Sequence, residues 1–145
     1  MIYLGADHAG FQLKEKIKFF LSQKKIKFED LGAHNTDSVD ASDYAVKVAR
    51  KVGKAQARSD RGILICGSGI IMSIAANRIK GVRAALATNV KIAKQAREHN
   101  NANILVLSGR ESFPKDWKKI IAVFLKTKFL KKEKYLRRIK KLDRI

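Results

Sequence analysis

Short apolar runs alternate with longer segments of helical periodicity along this chain, and that alternation is the feature that most constrains its fold. Between the runs, apolar residues recur at the three- and four-residue spacing of amphipathic helices. Strands that alternate with helices form a parallel sheet with helices on both faces, because parallel neighbours need a crossover connection. The expected strands are at 2–5, 26–31, 61–66, 82–87 and 104–107.

Helices are expected from about residue 10 and at 44–56, 70–79, 89–99 and 114–124. Pro114 would occupy the first position of its helix, where a missing amide hydrogen costs nothing. The last fifteen residues predict a basic helix with a sparse apolar stripe of Tyr135, Ile139 and Leu142. Two interpretations of this segment stay open, a solvated tail and an arm packed on a partner subunit.

A length of 145 residues, 46% of them hydrophobic, suits one domain with one core, so we expect a single domain over residues 1–145. No apolar run approaches the ~20 residues of a membrane span. The first residues also lack the pattern of a secretory signal peptide. One cysteine, Cys66, cannot form an internal disulfide. We therefore expect a protein of the reducing cytoplasm with no membrane partner.

The formal net charge is +19, from 32 Lys and Arg residues against 13 Asp and Glu residues. Such a balance normally suggests a polyanion partner. However, 22 of the basic residues are lysines spread over most of the chain, as in Lys14-Glu15-Lys16-Ile17-Lys18. A nucleic-acid face more often concentrates arginine with aromatic residues. We therefore expect a solvated lysine-rich surface and no specific nucleic-acid partner, with a field that attracts small anionic substrates.

Cys66 ends the apolar run at 61–66 and is followed by a glycine turn at 67–69 and a helical segment. This run is typical of a strand buried on both sides. Ligands of open parallel sheets bind beyond the carboxyl ends of the strands. The first amides of a helix lack partners inside it, so those from Gly67 to about Ile71 can form an anion site. The same helix end would lower the pKa of Cys66. A base beside an oxyanion cradle suits proton abstraction next to a carbonyl, while a buried small hydrophobe is the open alternative.

Other reactive residues flank the predicted strands: Asp7 and His8 follow the first, His99 and Asn100 precede the last, and Arg110 follows it. We expect them to lie with Cys66 where strands end. A histidine there can transfer a proton or be purely structural. Asp7 can act on a ligand or serve as a cap or turn residue before the next helix. Arg110 indicates a clamp for phosphate or carboxylate.

Four stretches together resemble ribose-5-phosphate isomerases of type B, in the ribose/galactose isomerase family. They read GADHAGFQLK (5–14), SDYA (42–45), GILICGSGIIMSIAANRIKGVRAAL (62–86) and AREHNNANILVLSGR (96–110). Their order and spacing are those of the family, nearly end to end. The resemblance implies an α/β fold, a Rossmann-like three-layer sandwich with a five-stranded parallel sheet and a C-terminal helical arm. It also implies a homodimer, with or without further pairing into a dimer of dimers, and active sites at the subunit interface.

The implied reaction interconverts D-ribose 5-phosphate and D-ribulose 5-phosphate, in the pentose phosphate pathway, through an enediolate and without metal or cofactor. By position, Cys66 would be the base, His99 from the partner subunit would assist ring opening, and Ser68 stands where the family commonly has threonine. The backbone from Gly67 to Ile71 would stabilise the enediolate. The residues implied to bind the sugar phosphate are Asp7, His8, Tyr44, Gly67, Ser68, Gly69, Ile70, Ile71, Asn100, Arg110, Lys134 and Arg138.

The tail departs from the family pattern, which often has an Arg-His pair and a further arginine where this chain has Lys134, Tyr135 and Arg138. Lysine supplies charge without the bidentate fork of arginine. Two alternative functions stay open. One is a related isomerase of a hexose 6-phosphate, such as galactose or allose 6-phosphate. The other, suggested by the charge of +19, is a non-enzymatic polyanion-binding protein.

Overall fold

The computed structural model describes residues 1–54, 59–110 and 114–145, in which five strands alternate with five helices and a sixth helix follows. The strands are β1 (Ile2–Ala6), β2 (Phe28–Asp30), β3 (Arg61–Cys66), β4 (Ala84–Leu86) and β5 (Ile104–Ser108). The helices are α1 (Phe11–Gln23), α2 (Ala41–Lys54), α3 (Ile70–Asn77), α4 (Val90–Asn100), α5 (Trp117–Lys126) and α6 (Glu133–Leu142).

The strands form one parallel sheet in the order β2-β1-β3-β5-β4. The predicted α/β class with a five-stranded parallel sheet is therefore confirmed. The chain leaves β1 toward one side of the sheet and β3 toward the other, so a topological switch point lies between these two strands. Ligands of such sheets bind outside the carboxyl ends of the strands at that point.

Alternate residues of the central strands pack into two separate hydrophobic cores, because successive side chains of a strand point to opposite faces of the sheet. Ile63 and Ile65 join the core formed with α1, α4 and α5. Leu64 and Cys66 join the core formed with α2 and α3. Cys66 therefore points toward α3, the helix that follows it.

Several boundaries differ from those expected. The outer strands β2 and β4 are limited to three residues, since each pairs with a neighbour on one side only. Helix α5 begins at Trp117 rather than Pro114, because the Trp117 amide donates to the Pro114 carbonyl at 3.0 Å and closes a turn before the helix. Helix α2 begins at Ala41, and its predicted end at Gln56 lies outside the described residues.

The basic tail forms α6, which packs on its own chain. The Leu130 amide donates to the Glu98 carbonyl at 3.0 Å before α6 begins. At its other end Asp143 pairs with Arg83 at 2.8 Å. In this structure the tail is thus an anchored arm. None of the helices described here has the length and apolarity needed to cross a membrane.

Candidate active site

The loop after β3 is tied to the carboxyl end of β5. The Gly109 amide donates to the Cys66 carbonyl at 2.7 Å, and the Arg110 amide donates to the Gly67 carbonyl at 3.0 Å. The Ser108 hydroxyl also donates to the Gly67 carbonyl, at 2.6 Å. These bonds hold Cys66 and Arg110 at the same end of the sheet, beside the switch point.

Gly69 turns the chain from this loop into α3. Its φ of +82° lies in the left-handed region, and a Cβ there would come within 2.4 Å of the Leu86 side chain, so glycine is required on both counts. In this conformation the Gly69 amide donates to the Cys66 sulfur at 3.1 Å. The Ile70 amide donates to the Ser68 hydroxyl at 3.2 Å. The Gly69 and Ile70 amides of the expected cradle are therefore already bonded within the loop.

The Cys66 side chain is only 1% exposed in the single chain. Burial raises the pKa of its thiol above the ordinary value of 9.0, and the nearby Asp7 carboxylate raises it further. Hydrogen bonds from the Met72, Gly69 and Ser68 amides oppose this rise without overcoming it. The helix end thus lowers the pKa of Cys66 as expected, but desolvation of the thiolate is the larger effect and the net pKa of Cys66 in the single chain is raised.

His8 and Arg110, both expected to bind phosphate, line one pocket of about 460 Å³ together with Gln12, Lys16 and Thr36. The Val39 amide donates to His8 Nδ1 at 3.3 Å, which leaves Nε2 as the nitrogen that carries the proton in the neutral ring. The pocket presents two cationic side chains and several hydrogen-bond donors. Its chemistry suits a phosphate group.

Asp7 is buried next to this pocket, and its Oδ1 accepts a hydrogen bond from the Gly10 amide at 2.9 Å. This bond fixes the turn before α1 rather than capping the helix, because Gly10 is itself the N-cap residue of α1. Residue 10 packs closely against the backbone of β3, and only glycine fits there, since a Cβ would lie 2.2 Å from the Ile65 carbonyl oxygen.

Tyr44 is not among the residues that line the pocket of His8 and Arg110. Its ring packs against Gly32, where an added Cβ would lie 2.5 Å from the ring. The ammonium group of Lys47 lies 4.6 Å from the ring centroid. Tyr44 contributes to a neighbouring pocket of about 590 Å³ that Asp40 and Asp43 also line.

His99 and Asn100 lie at the opposite end of the sheet from Cys66. They end α4, which returns the chain to the amino end of β5, whereas Cys66 pairs with Ser108 at the carboxyl end of that strand. At roughly 3.3 Å per residue, the length of β5 separates the two ends by about 13 Å. The expectation that these residues join Cys66 is therefore wrong within one chain, because a residue before a parallel strand sits at its amino end.

Lys134 and Arg138 belong to α6, which lies on the side of His99. The Tyr135 ring stacks on the His99 ring with 4.6 Å between centroids and 19° between planes. Leu136 and Ile139 of α6 line a pocket with Arg61 and Asn103, next to the amino ends of β3 and β5. The predicted site is thus divided. The carboxyl-end group comprises Asp7, His8, residues 66–71 and Arg110, and the amino-end group comprises His99, Asn100, Lys134 and Arg138.

The expectation of a solvated surface is wrong for Lys14, a structural residue that is 0% exposed. Its ammonium group contacts Asp30 Oδ1 at 2.5 Å and donates to the Ala33 carbonyl at 2.6 Å. The helical spacing indicates that Lys14 is buried, because it falls on the same face of α1 as the buried Ile17 and Leu21. The ion pair of Lys14 and Asp30 fixes the start of the loop that brings Thr36 and Val39 to the pocket of His8.

Arg97 holds the amino end in a comparable way. Its buried guanidinium donates to the Thr127 carbonyl at 3.2 Å, to the Asn101 side chain at 3.1 Å and to the Ala102 carbonyl. Burial lowers the pKa of Arg97 to about 10, and the charges of Arg61 and Arg83 act in the same direction. The group stays charged at neutral pH and fixes the turn after His99.

Among the described residues, no group of three or more His, Cys, Asp or Glu side chains is arranged to hold a metal ion. The carboxyl-end group offers instead a thiol, backbone amides and a cationic pocket. These groups can move a proton and hold an anion without a metal ion.

Comparisons with known proteins identify the relatives of this chain. A putative sugar phosphate isomerase of Rickettsia bellii is 48% identical over 128 residues, which are 88% of each chain. The crystal structure of a ribose 5-phosphate isomerase from Thermotoga maritima superposes with a TM-score of 0.93 at 46% identity, covering 99% of this chain and 97% of that one. Ribose-5-phosphate isomerase B from Mycoplasma genitalium, crystallised with bound ribulose-5-phosphate, gives a TM-score of 0.92 at 42% identity and covers 99% and 93%.

The family model described as Ribose/Galactose Isomerase matches residues 2–142, nearly the whole chain. The three-layer architecture is also that of the solved relatives. The resemblance proposed from the four sequence stretches is therefore confirmed, and the protein is an aldose-ketose isomerase by descent: the chain belongs to the ribose/galactose isomerase family.

Proposed function

We propose that this protein interconverts D-ribose 5-phosphate and D-ribulose 5-phosphate, as a step of the pentose phosphate pathway. The observation that carries the proposal is the end of β3, where a thiol bonded by the Gly69 amide at 3.1 Å lies beside the cationic pocket of His8 and Arg110. The Mycoplasma genitalium relative, crystallised with ribulose-5-phosphate, supports the same substrate.

In the proposed reaction the Cys66 thiolate takes the proton from C2 of the open-chain aldose. The C2 electron pair forms a double bond to C1, and negative charge passes to the carbonyl oxygen O1. The thiol then delivers its proton to C1, the C2 carbonyl forms, and the proton of the O2 hydroxyl ends on O1. One hydrogen has moved from C2 to C1, and no redox partner is needed.

Charge on the enediolate is stabilised by the loop that positions Cys66. The backbone from Gly67 to Ile71 and the Ser68 hydroxyl face the reacting carbons in this proposal, and Asn100 of the second subunit holds the oxygens. The substrate reaches the sulfur past Gly67. A Cβ there would meet only the Ala9 side chain, at 3.7 Å, so this side of the loop is open.

The remaining residues bind the sugar phosphate. His8 and Arg110 hold the phosphate within the pocket that they share. Lys134 and Arg138 add positive charge from the second subunit. Asp7 contacts sugar hydroxyls or the ring oxygen, and Tyr44 closes the neighbouring wall. His99 of the second subunit assists opening of the furanose ring.

The proposal requires a homodimer, because the two groups of the site lie at opposite ends of the sheet. Helix α3, directly after Cys66, exposes a face of Ile70, Ile71 and Ile74 at 56%, 52% and 54% of their surface. A contiguous exposed apolar face suits a protein interface. We propose that a second copy covers this face and brings its His99 to Cys66. We further propose one isomerase domain over residues 1–145, working in the cytoplasm, where Cys66 stays a free thiol.

A coupled isomerase assay over five- and six-carbon aldose phosphates, at low and high salt, tests this function. We expect the highest kcat/KM with ribose 5-phosphate, and a decrease at high salt because the charge of +19 attracts the anionic substrate. A preference for hexose 6-phosphates would overturn the assignment of ribose 5-phosphate as the substrate, while the proposed isomerisation chemistry would stand. Absence of isomerisation together with salt-sensitive nucleic-acid binding would favour the polyanion-binding alternative.

A further inference from the structure

We infer that Tyr135 is a positioning residue that holds the His99 imidazole in one orientation through their ring stack. The inference rests on the proposed function, in which His99 assists ring opening. In that function Tyr135 takes part neither in the chemistry of the reaction nor in substrate binding. Tyr135 acts in this view through His99, without touching the substrate.

His99 needs such a support because it lies in the last turn of α4 and is only half-buried. A side chain in that position can populate several rotamers, and fixing one of them costs conformational entropy. Transfer of a proton requires the imidazole nitrogen within hydrogen-bond reach of the oxygen that it serves. A group that excludes the other rotamers therefore raises the fraction of molecules ready to react.

Tyr135 has the geometry to do this. Its ring lies 4.6 Å from the His99 ring at an interplanar angle of 19°, which is a stacked arrangement. Tyr135 is only 8% exposed, so its own ring is confined. The ammonium group of Lys134 lies 5.1 Å from the same ring centroid and adds a cation–π contact.

The helix that carries Tyr135 is fixed at both ends, which makes it a suitable support. The Leu130 amide donates to the carbonyl of Glu98, the residue directly before His99, at 3.0 Å. The Asp143 carboxylate binds Arg83 at 2.8 Å at the other end. The stack therefore joins His99 to an element that is anchored to α4 and to the residue preceding β4.

The test uses the full-length protein and three variants. Tyr135→Leu removes the stack and keeps an apolar side chain, Tyr135→Phe keeps the stack without the hydroxyl, and Leu136→Ala alters an exposed neighbour on the same helix. We expect Tyr135→Leu to lower kcat about 2- to 10-fold with little change in KM, the range that an aromatic pair supplies. Tyr135→Phe should recover kcat, and Leu136→Ala should leave it unchanged.

Proton NMR gives a readout that does not depend on turnover, because the chain has only three histidines. The exposed His34 serves as reference for the ring protons of His99. These should resonate upfield in the wild type and in Tyr135→Phe, and move toward His34 in Tyr135→Leu. A double-mutant cycle with His99→Gln separates positioning from stability, since Tyr135→Leu should have no further effect on kcat in that background.

The outcomes are distinguishable. Unchanged kcat in Tyr135→Leu, an equal loss in Tyr135→Phe, or the same loss in the His99→Gln background would each overturn the positioning role while the isomerase function stands. A wild-type protein without isomerase activity would overturn the proposed function and this inference with it.

Discussion

The two ends of the sheet contrast in how they hold the residues assigned to the site. The carboxyl end is built by glycines and backbone hydrogen bonds, which bring Cys66, His8 and Arg110 together within one chain. The amino end carries His99 on the last turn of a helix, supported by side chains of α6. Neither end is a complete site for the proposed reaction. The contrast teaches that the carboxyl ends of parallel strands lie at one edge of the sheet, so the proposed reaction requires that the second group come from another subunit.

The most damaging change should be at the carboxyl end. Cys66→Ala should lower kcat by about 10²- to 10⁴-fold, because a general base contributes that much to such steps. The fold should persist, since alanine fits the buried space of a cysteine. Steady-state kinetics together with thermal unfolding checks both points. Activity near that of the wild type would remove Cys66 from the role of base.

Mixed dimers test directly whether the two ends belong to different chains. Cys66→Ala and His99→Gln should each be nearly inactive alone. When the two proteins are mixed and their subunits exchange, half of the dimers should carry one intact site, which restores about a quarter of wild-type activity. The measurement is activity after co-refolding or co-expression, compared with each variant alone. If a single chain built the whole site, every mixed site would carry one substitution and activity would not return.

The two ends of the sheet also differ in the buried charged residues that hold their loops in place. At the carboxyl end burial raises the pKa of Asp30, but hydrogen bonds from Lys14, the Gly32 amide and Lys18 outweigh it and lower the pKa overall. The stability that Asp30 contributes is therefore present above its unfolded pKa of about 3.9 and is lost as the pH falls below it. Arg97, the anchor of the amino end, binds carbonyl and amide oxygens that do not titrate.

Asp30→Asn should therefore destabilise the protein by about 3–5 kcal/mol at pH 7, because it leaves the buried Lys14 without its carboxylate. The matched control is Glu29→Gln, whose exposed pair with Lys51 at 3.0 Å should contribute less than about 1 kcal/mol. Urea denaturation at pH 7 and near pH 3 measures both. The difference in the free energy of unfolding between Asp30→Asn and the wild type should be smaller at the lower pH. A difference that does not change with pH would contradict the stabilising role of the Asp30 carboxylate.

The raised pKa of Cys66 predicts a pH dependence of kcat/KM that Cys66→Ala should lack. If the thiolate is the base, kcat/KM should rise about tenfold per pH unit at neutral pH and level off only above the ordinary thiol pKa of 9.0. The residual rate of Cys66→Ala should lack this rise. A plateau below pH 8 would mean that the assembled site lowers the pKa of Cys66, as the amides of residues 68, 69 and 72 already do in part.

The sequence was sufficient for the carboxyl end and insufficient for the amino end, for identifiable reasons. An apolar run followed by a glycine turn is a local pattern, and it correctly predicted β3 and the loop after Cys66. The end of the sheet that receives His99 depends on the direction of the next strand, and residues that precede a parallel strand lie at its amino end. The burial of Cys66 and of Lys14 depends on helices distant in sequence. Desolvation therefore reversed the expected pKa shift of Cys66, although the helix terminus was predicted correctly.

The smallest effect is expected from the tail of the amino end, which supplies charge and no reacting group. Lys134→Ala should raise KM for ribose 5-phosphate about 10-fold with little change in kcat, the range of one charge-assisted hydrogen bond. Lys140→Ala, on the same helix, is the matched control for the loss of one positive charge. If both variants raise KM equally, the general field of the protein attracts the phosphate and Lys134 makes no specific contact. A larger effect of Lys134→Ala, preserved at high salt, would assign the contact to Lys134, because salt screens the general field more strongly than a partly desolvated ion pair.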